Sequence, residues 1–378
     1  MKIIIDHSNL IVGGGIQVGT SFLYDLLKLN LSNSYYVIQS PNSSTAINKQ
    51  DFPDNFVFID MSEAINSSIY KRNKEVKRIE NKIVPDVIFT TFGPSYHKSK
   101  FPKIVGFAIP YLIYPDSPFF DKISFVEKLK YKFLGLIKKR NFLRNSDALI
   151  FETEDARSIF MKSSRKSLRS FTVSNTINEI FLDKSRWLSF QLPVTEKNNF
   201  KILCLSANYL HKNLSIIPEV IDFLKQQYNF YNFKFYISLD EESLKFDKKY
   251  NENIEYLGKI DLNKIPNLYE KMDMVFIPTL LEVFSATYLE AMFMRKPIVA
   301  SNMSFAKDIC NNAALYCEPL SPQSYAKAIF QVKNERELRE ELINNGLNNY
   351  KRYGSSLDRT LKYLEIITQI STDNETSS

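Results

Sequence analysis

The sequence predicts an α/β protein made of two doubly wound domains, and three observations carry that expectation. A length of 378 residues suits two domains rather than one. Short apolar runs of strand length alternate with helix-length amphipathic stretches. In particular, an apolar run at 274–278, a helix at 285–295 stopped by Pro297, and an apolar run at 298–300 form one βαβ unit. The chain also opens as strand, glycine loop and helix: residues 2–5, a loop ending in Gly13-Gly14-Gly15, and a helix at 16–29.

In the first domain, further strands are expected at 35–39, 57–59, 85–91, 103–108, 148–151 and 171–173. The helix at 16–29 places Phe22, Leu23, Leu26 and Leu27 on one side, and a charged helix is expected at 65–81. The glycine loop is not Gly-x-Gly-x-x-Gly, so a dinucleotide site is weakly supported. A plain tight βα turn and a close approach to a ligand both remain open. The strand at 85–91 delivers Phe92-Gly-Pro-Ser-Tyr-His97 at its C-terminal end, where ligands bind in such sheets. By position His97 is a cleft residue, and a surface-loop histidine is the plainer alternative. A proline-bounded aromatic loop follows at 109–115, for which simple loop packing is the plain reading.

A basic amphipathic helix is expected at 124–143. Phe125, Leu129, Phe133, Leu136 and Ile137 recur at helical spacing, and Lys128, Lys130, Lys132, Lys138, Lys139 and Arg140 crowd the remainder. Eight Lys/Arg and one Glu lie between Lys122 and Arg144, which matches the whole formal excess of +7. A core helix with a solvated polar face is one reading, and a helix lying on an anionic membrane surface is another. Nucleic acid ranks below both, because no nucleic-acid motif accompanies the charge.

Residues 192–199, polar and containing Pro193, form the expected linker. The second domain then alternates strands at 201–205, 233–239, 254–257, 274–278, 298–300 and 314–317 with helices at 214–226, 262–272, 285–295, 321–332 and 335–350. A final amphipathic helix at 355–370 precedes a polar tail expected to be disordered. No apolar run reaches the roughly 18 residues needed to span a bilayer, and Asp6 and His7 interrupt any signal-peptide pattern. Cys204, Cys310 and Cys317 form neither metal spacing nor a disulfide framework, which suits a reducing cytoplasm.

Glu282 and Glu290 stand eight positions apart, with a helix start between them. Backbone N–H groups near Ser285, Ala286 and Thr287 have no intrahelical acceptor there and attract an anion. An anion site flanked by two carboxylates suits a nucleotide diphosphate joined to a sugar, whereas a solvated pair is the ordinary alternative.

The stretch from Glu282 to Ser301 resembles the Glu-x7-Glu signature of retaining glycosyltransferases of family four, the group 1 glycosyltransferases. Their usual form is Glu-Gly-Phe-Gly-Leu-Pro-x-x-Glu-Ala-Met-Ala-x-Gly-x-Pro-Val-Ile-Ala-Ser. The chain keeps Glu282, Phe284, Glu290, Ala291, Met292, Pro297, Val299, Ala300 and Ser301, and departs at Val283, Ser285, Thr287 and Arg295. Lys212-Asn213, before the helix at 214–226, resembles the family's Lys-Asn or Lys-Gly motif, and Gly258 its Phe-x-Gly turn. The family often has an arginine where Ser206 stands, so one phosphate contact is absent or supplied elsewhere, for instance by His211.

The resemblance implies the GT-B fold, two Rossmann-like doubly wound domains facing across a cleft. It assigns 1–190 to an acceptor-binding domain, 200–354 to a nucleotide-sugar-binding domain and 355–370 to a helix crossing back to the first. It implies catalytic roles for Lys212 on the donor diphosphate and Glu282 on the sugar hydroxyls. Ser206, Asn213, Gly258, Phe284, Ser285, Ala286 and Glu290 become donor-binding residues, Glu290 at the ribose and Gly258 near the base. Gly14 and Gly15 become cleft residues with His97 on the acceptor side.

The expected partners are a nucleotide-diphosphate sugar and a saccharide or lipid-linked saccharide acceptor, in bacterial surface-polysaccharide synthesis. No cofactor is expected, and no Asp-x-Asp pair points to a metal on the diphosphate. The departures at Ser206, Val283 and Arg295 keep a catalytically silent GT-B module in view. A nucleotide-sugar epimerase is a further rival, and a nicotinamide oxidoreductase a weaker one.

Overall fold

The alternation of apolar runs and amphipathic stretches folds into two all-parallel sheets in the computed structural model, which describes residues 1–11, 13–164, 167–193 and 199–375. The chain divides into two units: residues 1–113, 125–175 and 354 onward, and residues 114–124 and 176–353.

The first unit is built from β1 (Lys2–His7), α1 (Gly14–Leu29), β2 (Ser34–Gln39), α2 (Pro41–Ser44), β3 (Phe56–Asp60), α3 (Glu63–Asn66), α4 (Ile69–Ile83), β4 (Val87–Thr90), β5 (Lys103–Phe107), α5 (Phe125–Asn145), β6 (Ala148–Phe151), α6 (Glu154–Lys162) and β7 (Arg169–Thr172). The strand order is β3-β2-β1-β4-β5-β6-β7. Central strands are buried on both faces and read as continuous apolar runs, as parallel sheets require. The single helix expected at 65–81 is broken in two, because the Ser68 side chain accepts a hydrogen bond from the Lys71 N–H and starts a new helix.

The second unit comprises β8 (Phe200–Cys204), α7 (Ile217–Tyr228), β9 (Phe233–Ile237), β10 (Ile254–Tyr256), α8 (Ile265–Glu270), β11 (Met274–Ile277), α9 (Ala286–Phe293), β12 (Ile298–Ser301), α10 (Ser304–Cys310), β13 (Ala314–Cys317), α11 (Pro322–Asn334) and α12 (Arg336–Tyr350). Its strand order is β10-β9-β8-β11-β12-β13. The last helix, α13 (Ser356–Glu375), belongs to the first unit. Its Tyr363 ring packs on Phe22 of α1 and Phe89 of β4, with centroids 5.6 and 5.1 Å away. Beside these rings, the buried carboxylate of Asp25 accepts hydrogen bonds from Ser356 at 3.2 Å and Thr360 at 3.0 Å.

Three boundaries differ from the sequence expectation. The first unit's sheet-bearing segment ends at Asn175 rather than near 190. The segment beyond it is anchored to the second unit by Phe181, whose ring meets Tyr269 at 5.9 Å and Phe293 at 6.4 Å. Residues 114–124 also join the second unit, where Ser117 Oγ donates to the Leu280 carbonyl at 2.6 Å and Tyr114 packs on Phe305. The tail expected to be disordered from 371 continues instead as α13 through Glu375, with Ser371 buried. Of the expected linker, residues 194–198 lie outside the described residues.

Candidate active site

In an open parallel sheet, two neighbouring strands whose connections leave in opposite directions open a crevice at their carboxyl ends. In the second unit those strands are β8 and β11. The loop after β8 carries Ser206 and Lys212, and the loop after β11 carries Glu282. The Leu280 N–H donates to the His211 carbonyl at 2.8 Å and ties the two loops together.

Across this crevice the Lys212 ammonium donates to both Glu282 carboxylate oxygens, at 2.8 and 2.6 Å. Both side chains are largely buried, 14% and 18% exposed, so the pair is only partly screened by water. Asn213 makes this possible: it adopts the left-handed conformation (φ 56°) and turns the chain into the following helix. Its buried amide donates to the Pro319 carbonyl at 3.2 Å. His211 is pushed down to about 4 by burial and by the neighbouring Lys212 charge, so at neutral pH it offers hydrogen bonds rather than a second cation. Its ring stacks on Tyr209 at 5.4 Å.

Helix α9 begins beside Glu282. Ser285 occupies the N-cap position in an extended conformation, but its hydroxyl caps nothing, and Ala286 and Thr287 are half-buried at the helix mouth. The helix start therefore keeps N–H capacity for an outside acceptor. Val283 has no positive φ and is buried at 3% exposure, so a β-branched residue is accommodated in place of glycine. Phe284 is half-buried and meets the Tyr353 ring edge-on at 6.4 Å.

The other end of α9 explains why glycine is usual where Arg295 stands. Arg295 is left-handed (φ 57°), its N–H donates to the Met292 carbonyl at 3.2 Å, and the Lys296 N–H donates to the Ala291 carbonyl at 2.8 Å. This is a Schellman ending with an arginine in the left-handed position.

Glu290 lies within α9 and is buried. Its carboxylate accepts the Tyr269 hydroxyl at 2.9 Å, and burial pushes its carboxyl up to about 7 despite that bond. Gly258 follows β10 with φ 64°, and a Cβ there would sit 2.8 Å from Asp240 Oδ1 after β9. Its backbone therefore turns where only glycine fits easily. The Ser206 N–H donates to Ser238 Oγ at 2.8 Å, which fixes the start of the β8 loop. Among the described residues, no group of three or more His, Cys, Asp or Glu gathers in a way that could hold a metal ion.

The first unit has its own switch point, between β1 and β4. Gly13 (φ 63°) leads into α1, whose first residues are Gly14 and Gly15. A Cβ on Gly14 would meet nothing within 4 Å, while one on Gly15 would touch Leu10 and the Phe92 ring. Asn9, which the sequence reading passed over, donates to the Phe92 and Pro94 carbonyls, both at 3.3 Å, and bridges the two loops. Its only sequence signal is a polar residue two positions after the end of a strand. His7 is fully buried at the end of β1 and is lowered to about 3 by that burial, so it is neutral.

His97 is not at this edge, contrary to the sequence expectation. Its Nε2 lies 2.8 Å from Glu80 Oε1 in the last turn of α4 and 3.0 Å from the Lys103 ammonium, which opens β5. Lys103 in turn donates to Glu80 at 2.9 Å. All three therefore sit at the amino end of the sheet, opposite the loops after β1 and β4. After Pro94 the chain runs back to begin β5, and two fully buried opposite charges draw the imidazole between them. Tyr269 was also passed over. It is a single tyrosine in an apolar helix pattern, which carries no signal of its own.

Residues 186–349 match the family model described as glycosyl transferases group 1. The O-antigen chain mannosyltransferase RfbU of Salmonella typhimurium is 24% identical over 62% of this chain. The match spans 62% of that relative's own length, less than two thirds. Among solved structures, sucrose-phosphate synthase from Thermosynechococcus elongatus superposes with a TM-score of 0.74 at 13% identity, covering 99% of this chain and all of that one. HepE of Anabaena, solved in complex with UDP-glucose, superposes at 0.69 with 13% identity, over 98% and 100% of the two chains. These likenesses establish the GT-B fold, and the family match lies on the unit that carries Lys212, Glu282 and Glu290.

Proposed function

We propose that this chain, a GT-B protein carrying the group 1 glycosyltransferase sequence in its second unit, transfers a sugar from a nucleotide-diphosphate sugar to a saccharide or lipid-linked saccharide. The observation that carries this reading is the joining of Lys212, Glu282 and the start of α9 at the β8–β11 switch point. The relatives that bear sugar-transfer names, and the neighbour solved with UDP-glucose, support it.

In this reading the nucleotide lies along the carboxyl edge of the second sheet. Gly258 leaves room near the base, and Glu290 holds the ribose hydroxyls. Ser206 and Asn213 shape the β8 loop around the diphosphate, and Phe284 lines the donor sugar. Breaking the glycosyl bond builds charge on the leaving diphosphate, and Lys212 with the N–H groups after Ser285 stabilises it without a metal ion. Glu282, already tied to Lys212, then holds the sugar hydroxyls, so donor binding exchanges an internal ion pair for two ligand contacts. The glycine turn at Gly14 and Gly15, braced by Asn9, serves the acceptor. Retention of anomeric configuration, a hexosyl donor and a place in surface-polysaccharide synthesis in the cytoplasm complete the proposal. The three buried free cysteines suit that compartment.

The test is a thermal-shift panel of UDP, GDP, ADP and CDP sugars without metal, on the wild type and Glu290→Ala. Products are then followed by NMR at the anomeric carbon. Stabilisation by one nucleotide class, lost in the variant, and a retained anomer support the proposal. No response to any donor and no transfer favour a silent assembly module.

A further inference from the structure

Helix α5 packs on its unit by one narrow seam. Gly135 sits against Leu112, Tyr131 meets Tyr111 edge-on at 5.1 Å, and the Phe142 ring lies tilted against Phe107 at 4.5 Å. The rest of its apolar pattern points outward. Phe125 and Val126 are 74% exposed, Leu136 65%, Phe133 64% and Leu129 51%. At a turn every 3.6 residues these side chains fall on one arc of the helix, about 18 Å long from Phe125 to Ile137. Lys132 borders one side of the arc and Lys130 the other, with Arg140 and Arg144 continuing it toward the C-terminus, all exposed. Beyond them, Lys98, Arg140 and Arg144 border an open cavity of about 290 Å³. The helix therefore buries only a narrow seam around Gly135 and Phe142 and presents most of its large apolar groups to the outside, the reverse of a surface helix on a core.

We propose that this face of α5 docks on an anionic lipid bilayer. The exposed Phe, Val and Leu side chains enter the acyl boundary, the lysines and arginines meet the headgroups, and the cavity at Lys98 takes a lipid phosphate. Contiguous exposed apolar surface of this kind is unfavourable in water and marks an interaction site. A second copy of the chain fits less well. A two-fold contact through the same face would set its cationic rim against an identical rim. An anionic bilayer supplies both an apolar layer and the complementary charge. The inference stands on α5 and the adjoining cavity at Lys98, and does not depend on the chemistry at Lys212.

The full chain is sedimented with mixed phosphatidylglycerol–phosphatidylcholine vesicles and with pure phosphatidylcholine vesicles, and its own association is followed by sedimentation velocity without lipid. The wild type is expected to pellet with the anionic vesicles and to stay in solution with the neutral ones. The triple variant Leu129→Ser/Phe133→Ser/Leu136→Ser is expected to bind about tenfold more weakly, because binding scales with buried apolar area. The variant Lys130→Glu/Lys132→Glu/Arg140→Glu, which alters no apolar group, reads the same face independently and is expected to lose anionic binding with an unchanged melting temperature. Three results overturn the proposal: no pelleting of the wild type, equal pelleting of wild type and both variants, or a wild-type dimer that the serine variant dissociates.

Discussion

Lys212 and Glu282, separated by 70 positions, share two hydrogen bonds of 2.8 and 2.6 Å across the β8–β11 crevice. If the lysine carries the leaving diphosphate, Lys212→Ala lowers kcat/KM by a factor equivalent to roughly 2–4 kcal/mol, most of it in kcat. Steady-state assays with the donor found by thermal shift measure this, and a loss below twofold removes Lys212 from the chemistry. Glu282→Gln keeps the shape and releases the ammonium, so product nucleotide is expected to bind more tightly while transfer falls.

Glu290 makes stability depend on pH. Its carboxyl rises from the ordinary 4.5 to about 7 through burial, so the folded chain holds this proton more tightly than the unfolded one. Its contribution is complete below about pH 4.5 and is lost as pH rises through about 7, a change of roughly 3 kcal/mol. Urea unfolding of Glu290→Gln across this range is expected to show a correspondingly flatter profile. An unaltered slope contradicts the assignment.

Arg295 occupies a left-handed position that costs a side chain about 1 kcal/mol relative to glycine. Arg295→Gly is therefore expected to stabilise the second unit by about 0.5–1 kcal/mol, read as a higher melting temperature. A fall in stability shows that the arginine side chain makes a compensating contact.

Asp25 is 1% exposed and takes hydroxyl hydrogen bonds from both Ser356 and Thr360 of α13. Thr360→Val is expected to destabilise by about 1–3 kcal/mol, since it removes a donor to a buried charge. Asp25→Ala is expected to cost as much or more, because two buried hydroxyls lose their acceptor. Denaturant titration separates these from a neutral change.

Much of the candidate site was legible because its signals are local. Glu282, Glu290 and Lys212 each sit next to a strand end or helix start that apolar periodicity reveals, and their resemblance to a known pattern linked them. Val283 and Arg295 looked like obstacles. The structure shows that the first needs no special backbone angle and that the second tolerates one. Tyr269, which holds Glu290, left no trace because a tyrosine inside an apolar helix pattern looks like any other core residue.

The sequence by itself determined the order of strands and helices, since burial of a parallel sheet demands apolar runs and the helices between them need a periodic face. It also marked the turn residues that put loops after β1, β8 and β11. Tertiary structure alone decided where those loops meet, because a crossover direction is a property of the whole sheet. It sent His97 to the amino end, where it joins the buried ion pair of Glu80 and Lys103. It drew residues 114–124 onto the second unit. It also turned the apolar arc of α5 outward, since periodicity shows that a helix has a face but not what that face will touch.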